Sequence, residues 1–423
     1  MMKYLTLTLL LFLTLSTFGQ FQPNYDESKI PAYELPELLN SEKHGKIKSV
    51  KAWETKRRPE ILELFADQMY GKVPDVPYSL DFKVKQKGVS ILSGKALLKE
   101  VEITISTVNG ALPFTLMIIT PNTAGPHPCF MTINFYGNHT LLDAKNVSLT
   151  NSWVRNNEEF NITDNKATEA SRGARSYRWD IDAIVDRGYA LASIYYGDLD
   201  PDYDDGFQDG LHPLFYGQGQ SKPKPEEWGS IGVWAFGMSR SMDYLVTDPL
   251  IDARKVAVMG HSRLGKTSLW AGVNDQRFAL VISNDSGCGG AALSRRAFGE
   301  TVGRINTSFP HWFNENFTQY NENESALPID QHMLLALVAP RALYVASAED
   351  DRWADPKGEF LSTYHANPVY KLYGEKCIDD PQMPAVDQPK MVGKTGYHVR
   401  SGGHNVTDYD WEQYMNFADQ VFE

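Results

Sequence analysis

The chain has 423 residues, 42% of them hydrophobic and 12% aromatic, enough to bury a large core and too apolar to be disordered. Its net charge of −12 disfavours nucleic acid and anionic membrane surfaces as partners. Only three cysteines occur, Cys129, Cys288 and Cys377; they allow at most one internal disulfide, which excludes a disulfide-stapled scaffold.

Residues 1–19 have the pattern of a secretory signal peptide. Lys3 supplies the charge, 5–18 form an apolar and hydroxyl-rich run, and Thr17-Phe18-Gly19 offers a small-x-small site for cleavage before Gln20. The run is too short for a membrane span, so a periplasmic or secreted protein is expected, with 20–423 as a single catalytic domain. A helix is predicted over 58–69, ending near Gly71. The alternation at 101–106 and the apolar run at 114–119 predict strands, and 127–136 a third ending at Gly137. Residues 139–178 are polar and rich in Asn, Thr, Ser and Arg, which reads as an insertion or lid. A helix over 180–186, a strand over 189–196 and a helix over 228–245 follow. Further strands are predicted at 256–259, 278–283 and 343–348, with helices starting at Leu264 and lying near 333–337. Strands alternating with helices imply an α/β fold: a mostly parallel sheet with helices on both faces and a site beyond the strand C-termini.

The segment 256–271, VAVMGHSRLGKTSLWA, carries the chemistry. A buried strand, a glycine turn at Gly260 and a helix start place Ser262 on a strand–turn–helix corner, where a hydroxyl is exposed beside free backbone N–H groups. The same letters fit the phosphate-cradling pattern G-x-x-x-x-G-K-[ST], Gly260 to Thr267. Export from the cytoplasm argues against that reading. A serine needs a base, and the base needs an acid to orient it. His404, in Gly402-Gly403-His404-Asn405, lacks apolar neighbours and lies downstream of Ser262, giving the order serine, acid, histidine; His398 and His365 are its nearest competitors. Asp351, past the strand at 343–348, and Asp285, past the strand before it, compete for the acid, with Asp351 preferred. Glu349, Asp350 and Asp355 read as a solvated acidic loop. Residues 198–206, DLDPDYDDG, have their glycine misplaced for an EF-hand and read as a solvated loop or an active-site wall. No group of residues has metal-ligand spacing, and no cofactor is expected.

Gly260-His261-Ser262-Arg263-Leu264-Gly265-Lys266 resembles the G-C-S-R-x-G-K signature of the glucuronoyl esterases of carbohydrate esterase family 15, with His261 where many members have cysteine. The resemblance continues through 285–296, 300–306, 308–313, 340–342, 349–356 and His404, and includes 57–65 and 69–72 as in bacterial members. It implies an α/β-hydrolase fold and a serine-type hydrolysis of the ester between (4-O-methyl-)glucuronic acid of glucuronoxylan and lignin alcohols. By position, Ser262 is the nucleophile, His404 the base and Arg263 an oxyanion contact, while Lys266, Glu300 and Trp353 hold the sugar. Fungal members carry glutamate where this chain has Asp285, and many bacterial members an acid at the place of Asp351, so the acid stays open. The rival reading within the fold is an esterase of the acetyl xylan type. The expected partner is the lignin–carbohydrate ester alone, bound by a monomer.

Overall fold

The computed structural model describes residues 21–422; the signal-peptide reading over 1–19 falls outside them. A ten-stranded sheet forms the centre. Its strands are β1 (Ser79–Ile91), β2 (Ala96–Thr107), β3 (Gly110–Pro121), β4 (His127–Asn134), β5 (Ala190–Tyr195), β6 (Ile251–His261), β7 (Leu280–Asn284), β8 (Ala342–Ala348), β9 (Lys390–Val392) and β10 (Thr395–Arg400). They run in the order β9-β10-β8-β7-β6-β4-β5-β3-β2-β1. From β10 to β5 every pairing is parallel. Antiparallel strands close both ends.

The parallel strands β5, β7 and β8 are buried at every position, as both-face coverage requires, whereas β2 alternates buried and half-buried residues. Two cores result. Met131, Ile133, Val258, Val281 and Val345 face one side, packed with α3 (Ser230–Leu245) and α4 (Arg263–Asn274). Phe130, Met259, Ile282 and Tyr344 face the other, packed with α2 (Ile181–Asp186) and α9 (Asp408–Val421). The register Met259↔Ile282 and Ala346↔Asn284 brings the ends of β6, β7 and β8 to one level.

The chain is helical from 50 to 70, with α1 (Arg58–Phe65) flanked by wider turns. The remaining helices are α5 (Val302–Ser308), α6 (Gln331–Ala336), α7 (Pro356–His365) and α8 (Asn367–Leu372). Strands β1 and β10 and helix α9 were not anticipated. β1 is a largely exposed edge strand carrying Lys83, Lys85 and Lys87; Leu80, Phe82 and Val84 alternate with Asp81, Lys83 and Lys85, a period-two signal that the sequence reading passed over. β10 is fully buried yet carries His398 and Arg400, both bonded to Asp410 of α9 at 2.9 and 2.7 Å. The stretch 139–178 covers the sheet ends as an insertion, but it is ordered by short 3-10 turns and buried Val147, Val154 and Ile162. Arg172 ties it together by donating to the carbonyls of Ala144 and Val147.

Candidate active site

Gly260 is required by close approach: a Cβ there would lie 1.8 Å from the Leu264 carbonyl oxygen. The chain then turns so sharply that Ser262 adopts φ 60, ψ −130, a conformation a non-glycine residue holds only when its surroundings enforce it. Its N–H donates to the Asn284 carbonyl at 2.9 Å, and its carbonyl accepts from Gly265 and Lys266. These bonds anchor the start of α4 to the end of β7 and present the Ser262 side chain at the corner.

His404 lies on the loop between β10 and α9 and is 44% exposed at its side chain. Its Nδ1 donates to Asp351 Oδ2 at 2.6 Å. That bond fixes the tautomer and leaves Nε2 as the acceptor. Its ring centre is 4.4 Å from that of His261, the residue before Ser262. Asp351 follows β8 and is itself buried.

Asp285 differs from Asp351. It is buried, sits at φ 43, and both its carboxyl oxygens lack hydrogen-bond partners. Arg400 Nη2 lies 3.6 Å away and His261 Nδ1 4.0 Å away. Burial, then the neighbouring carboxyls of Asp351 and Glu359, push its carboxyl well above the usual range, which favours its protonated form. Beneath both, Glu359 Oε1 accepts from the N–H groups of Ser286 and Gly287 at 2.8 and 2.9 Å, and Oε2 from Ser347 Oγ at 2.6 Å. Burial raises Glu359 to about 7 against those donors.

Arg263 projects across the site. Its guanidinium is ion-paired with Asp202 and lies 4.7 Å from the Trp312 ring centre and 5.6 Å from that of Phe135. Its Nε is buried and has no acceptor among the described residues. Asp202 also accepts from Trp312 Nε1 at 2.8 Å, His311 Nε2 at 3.0 Å and Tyr196 Oη at 3.2 Å. Burial alone would raise its carboxyl; the Arg263 charge, with His311 and Trp312 donating, holds it down at about 2.

Lys266, one turn along α4, is buried rather than solvated, and its Nζ donates to the Ser286 carbonyl at 2.5 Å. Burial lowers its pKa and raises that of Glu300, and the opposite charge of each partner opposes the other's shift. The Glu300 N–H donates to the Trp353 carbonyl at 3.0 Å, which brings the turn at 300 against the loop after β8.

The sheet therefore gathers Ser262, Arg263, Lys266, Asp285, Asp351 and His404 at the adjacent C-terminal ends of β6, β7, β8 and β10. His398 is a core residue, bonded to Asp410 and Tyr344. Asp355 is not part of a solvated loop: it is buried and paired with Arg296 at 2.7 Å, while Glu349 and Asp350 are exposed as expected. Asp202 and Glu359 escaped the sequence reading. Asp202 was hidden in an acidic run, and its function depends on partners 61 and 109–110 residues away. Among the described residues, Asp285, Asp351 and His404 form the one group whose donor atoms, within 4.8 Å of one another, could meet a metal ion. Two of the three already bond to each other.

Residues 215–374 match the family model for fungal glucuronyl esterases. The chain is 51% identical over 398 residues to carbohydrate esterase MZ0003 from an unknown prokaryote, covering 94% of this chain and 91% of that protein. Among solved structures, it is similar to a promiscuous family 15 carbohydrate esterase from a marine bacterial metagenome, at 50% identity and TM-score 0.89, over 95% of this chain and 100% of that one. It is also similar to a glucuronoyl esterase of Solibacter usitatus, at 44% identity and TM-score 0.87, over 94% and 100%.

Proposed function

The chain belongs to the glucuronoyl esterases of carbohydrate esterase family 15, α/β-hydrolase carboxylic ester hydrolases, and we propose that it cleaves the ester between glucuronic acid of glucuronoxylan and a lignin alcohol through Ser262, His404 and Asp351. His404 Nε2 takes the Ser262 proton as Oγ attacks the ester carbonyl. Asp351 holds the Nδ1 proton and stabilises the imidazolium that forms. The oxyanion meets the Arg263 N–H at the start of α4 and the Arg263 guanidinium. A fixed cation there acts on charge that exists only in the transition state. His404 then protonates the departing alcohol, and water attacks the acyl-enzyme by the same route in reverse. Asp285, protonated and without a bond to His404, is a reserve partner for the histidine rather than its main orienter.

The observation that supports this reading is the buried Lys266 on α4, one turn from the nucleophile corner and facing the buried Glu300, beside the half-buried Arg263 that serves the oxyanion. An acetyl group gives Lys266 and Glu300 nothing to bind. A uronoyl ring offers hydroxyls to Lys266 and Glu300 and a face to Trp353. The remaining parts of the proposal are export by cleavage of 1–19, a single catalytic domain over 20–423, action as a monomer in the periplasm or outside the cell, and glucuronoxylan–lignin esters as the only partner.

The test compares benzyl glucuronate with the benzyl ester of cyclohexanecarboxylic acid, which keeps ring and leaving group but removes the hydroxyls. The glucuronate should have a kcat/KM about a hundredfold or more higher, the scale of discrimination expected from buried polar groups left unpaired. Equal rates would refute uronoyl recognition.

A further inference from the structure

Residues 21–29 carry no strand and a single 3-10 turn, Glu27–Lys29, yet they hold two loops of the site together. Apart from bonds inside the segment, their hydrogen bonds, ion pairs and ring contacts among the described residues all fall on 296–304 and 352–357. The first stretch carries Glu300 and the second Trp353. The Gly299 N–H donates to the Asn24 carbonyl at 2.9 Å, and Arg352 donates to the Tyr25 carbonyl. The Tyr25 ring meets Phe298 edge to face, with 6.0 Å between centres. Glu27 accepts from Arg296 at 2.6 Å and from Lys357 at 2.8 Å.

Phe21 lies edge to face with Trp353, the ring centres 6.0 Å apart and the planes at 83°. The Arg304 guanidinium lies 5.5 Å from the Phe21 centre. Among the described residues, Phe21 is the only aromatic ring in contact with Trp353. The backbone around Trp353 does not depend on that contact. The Glu300 N–H already donates to the Trp353 carbonyl at 3.0 Å, and a Cβ on Gly299 would lie 2.4 Å from that carbonyl oxygen, so the two turns are locked main chain to main chain. The indole is different. It is half-buried, on the short 3-10 turn Arg352–Ala354, next to the exposed Arg352. A side chain so placed has rotamer freedom to lose when a ligand binds it. Contact with Phe21 removes that freedom beforehand, and the indole so held donates toward the Glu300 carboxyl.

We infer that Phe21 is a positioning residue for substrate selection: the segment 21–29, anchored through Asn24, Tyr25 and Glu27, sets Phe21 against Trp353 and so fixes the indole as the uronoyl ring meets it. Phe21 touches no reacting atom and acts through Trp353 alone. This rests on the proposed esterase reading, because it takes Trp353 and Glu300 to hold the sugar.

Benzyl glucuronate and benzyl acetate share a leaving group, but the acetyl group is too small to reach Trp353. In Phe21→Ala the KM for benzyl glucuronate should rise about threefold to tenfold, the scale of one aromatic pair, with kcat little changed, because ground-state binding alone is weakened. The kcat/KM for the slow hydrolysis of benzyl acetate should stay at the wild-type value, which a general loss of folded enzyme would not allow. Phe21→Tyr, which keeps the ring, should restore the glucuronate KM. On a Trp353→Ala background, Phe21→Ala should add nothing further, since the two residues act as one unit. A glucuronate KM unchanged in Phe21→Ala, an equal loss on both esters, or a full additional loss on the Trp353→Ala background would overturn the inference while leaving the esterase reading intact. Failure of wild type to hydrolyse benzyl glucuronate would instead refute the esterase reading, and the inference with it.

Discussion

Asp202→Asn probes how this site holds its cation. The carboxylate is fully buried and serves Arg263, His311, Trp312 and Tyr196, with Arg155 Nη2 at 3.3 Å. Donors reach both of its oxygens, His311 and Trp312 on Oδ1 and Arg263, Tyr196 and Arg155 on Oδ2. An asparagine amide has one oxygen, so whichever way it turns, an N–H faces N–H donors. Breaking a buried ion pair by removing one partner costs about 3–5 kcal/mol. Arg263 is 20% exposed at its side chain and keeps its contact with the Trp312 ring, so a loss near 3 kcal/mol is expected. The guanidinium, no longer anchored, should drift from the oxyanion, and kcat should fall about tenfold to a hundredfold, below the full loss of an oxyanion donor. Urea unfolding and benzyl glucuronate kinetics at saturating substrate measure the two effects. The native carboxyl stays ionised down to about 2 against an ordinary value of 3.8, so its contribution is present above about 4 and is lost as pH falls toward 2. An Asp202→Asn enzyme with wild-type stability and wild-type kcat would refute the assignment of Asp202 as the residue that positions Arg263.

Asp351→Asn should lower kcat by about ten-thousandfold if Asp351 alone orients His404, and by much less if Asp285 substitutes; Asp285→Asn should be mild, and kinetics of both with the double variant decide. A severe loss in Asp285→Asn alone would reverse the roles. Lys266→Ala should chiefly raise KM for glucuronate esters, whereas Arg263→Ala should lower kcat by about a hundredfold, a split that initial-rate kinetics resolve. Glu359 holds its proton to about 7 in the native state and to a normal carboxyl value when unfolded, so the folded form binds the extra proton between roughly 4.5 and 7. Its contribution to stability is therefore full below that window and declines as pH rises through it. Glu359→Gln, which mimics the protonated acid toward Ser286, Gly287 and Ser347, should flatten the fall in Tm between pH 5 and 8; an unchanged Tm profile would argue against it.

The strand–turn–helix corner was legible because Gly260, Ser262 and an apolar strand are contiguous, and local backbone chemistry alone sets that turn. His404 and Asp351 were legible through chain order and their places after strands. Their 2.6 Å bond was not, since it joins residues 53 apart. The preference for Asp351 over Asp285 rested on position, and the structure supplies the physical distinction: one carboxyl has the histidine as partner, the other has no hydrogen-bond partner at all. The reading of 198–206 as a solvated loop or an active-site wall could not single out Asp202, and Asp355 was unreadable, because an acidic loop looks the same whether it faces water or an arginine. Strand β10 was unreadable because its His398 and Arg400 look polar until Asp410, on a helix later in the chain, neutralises them.

The most direct test of the central claim is the rate on benzyl glucuronate beside that on acetylated xylan, for wild type and for purified, folded Ser262→Ala. Wild type should cleave the glucuronate ester far faster than the acetyl ester, and Ser262→Ala should lose about a thousandfold or more of its kcat. Faster release of acetate, or wild-type-like turnover without the Ser262 hydroxyl, would contradict it.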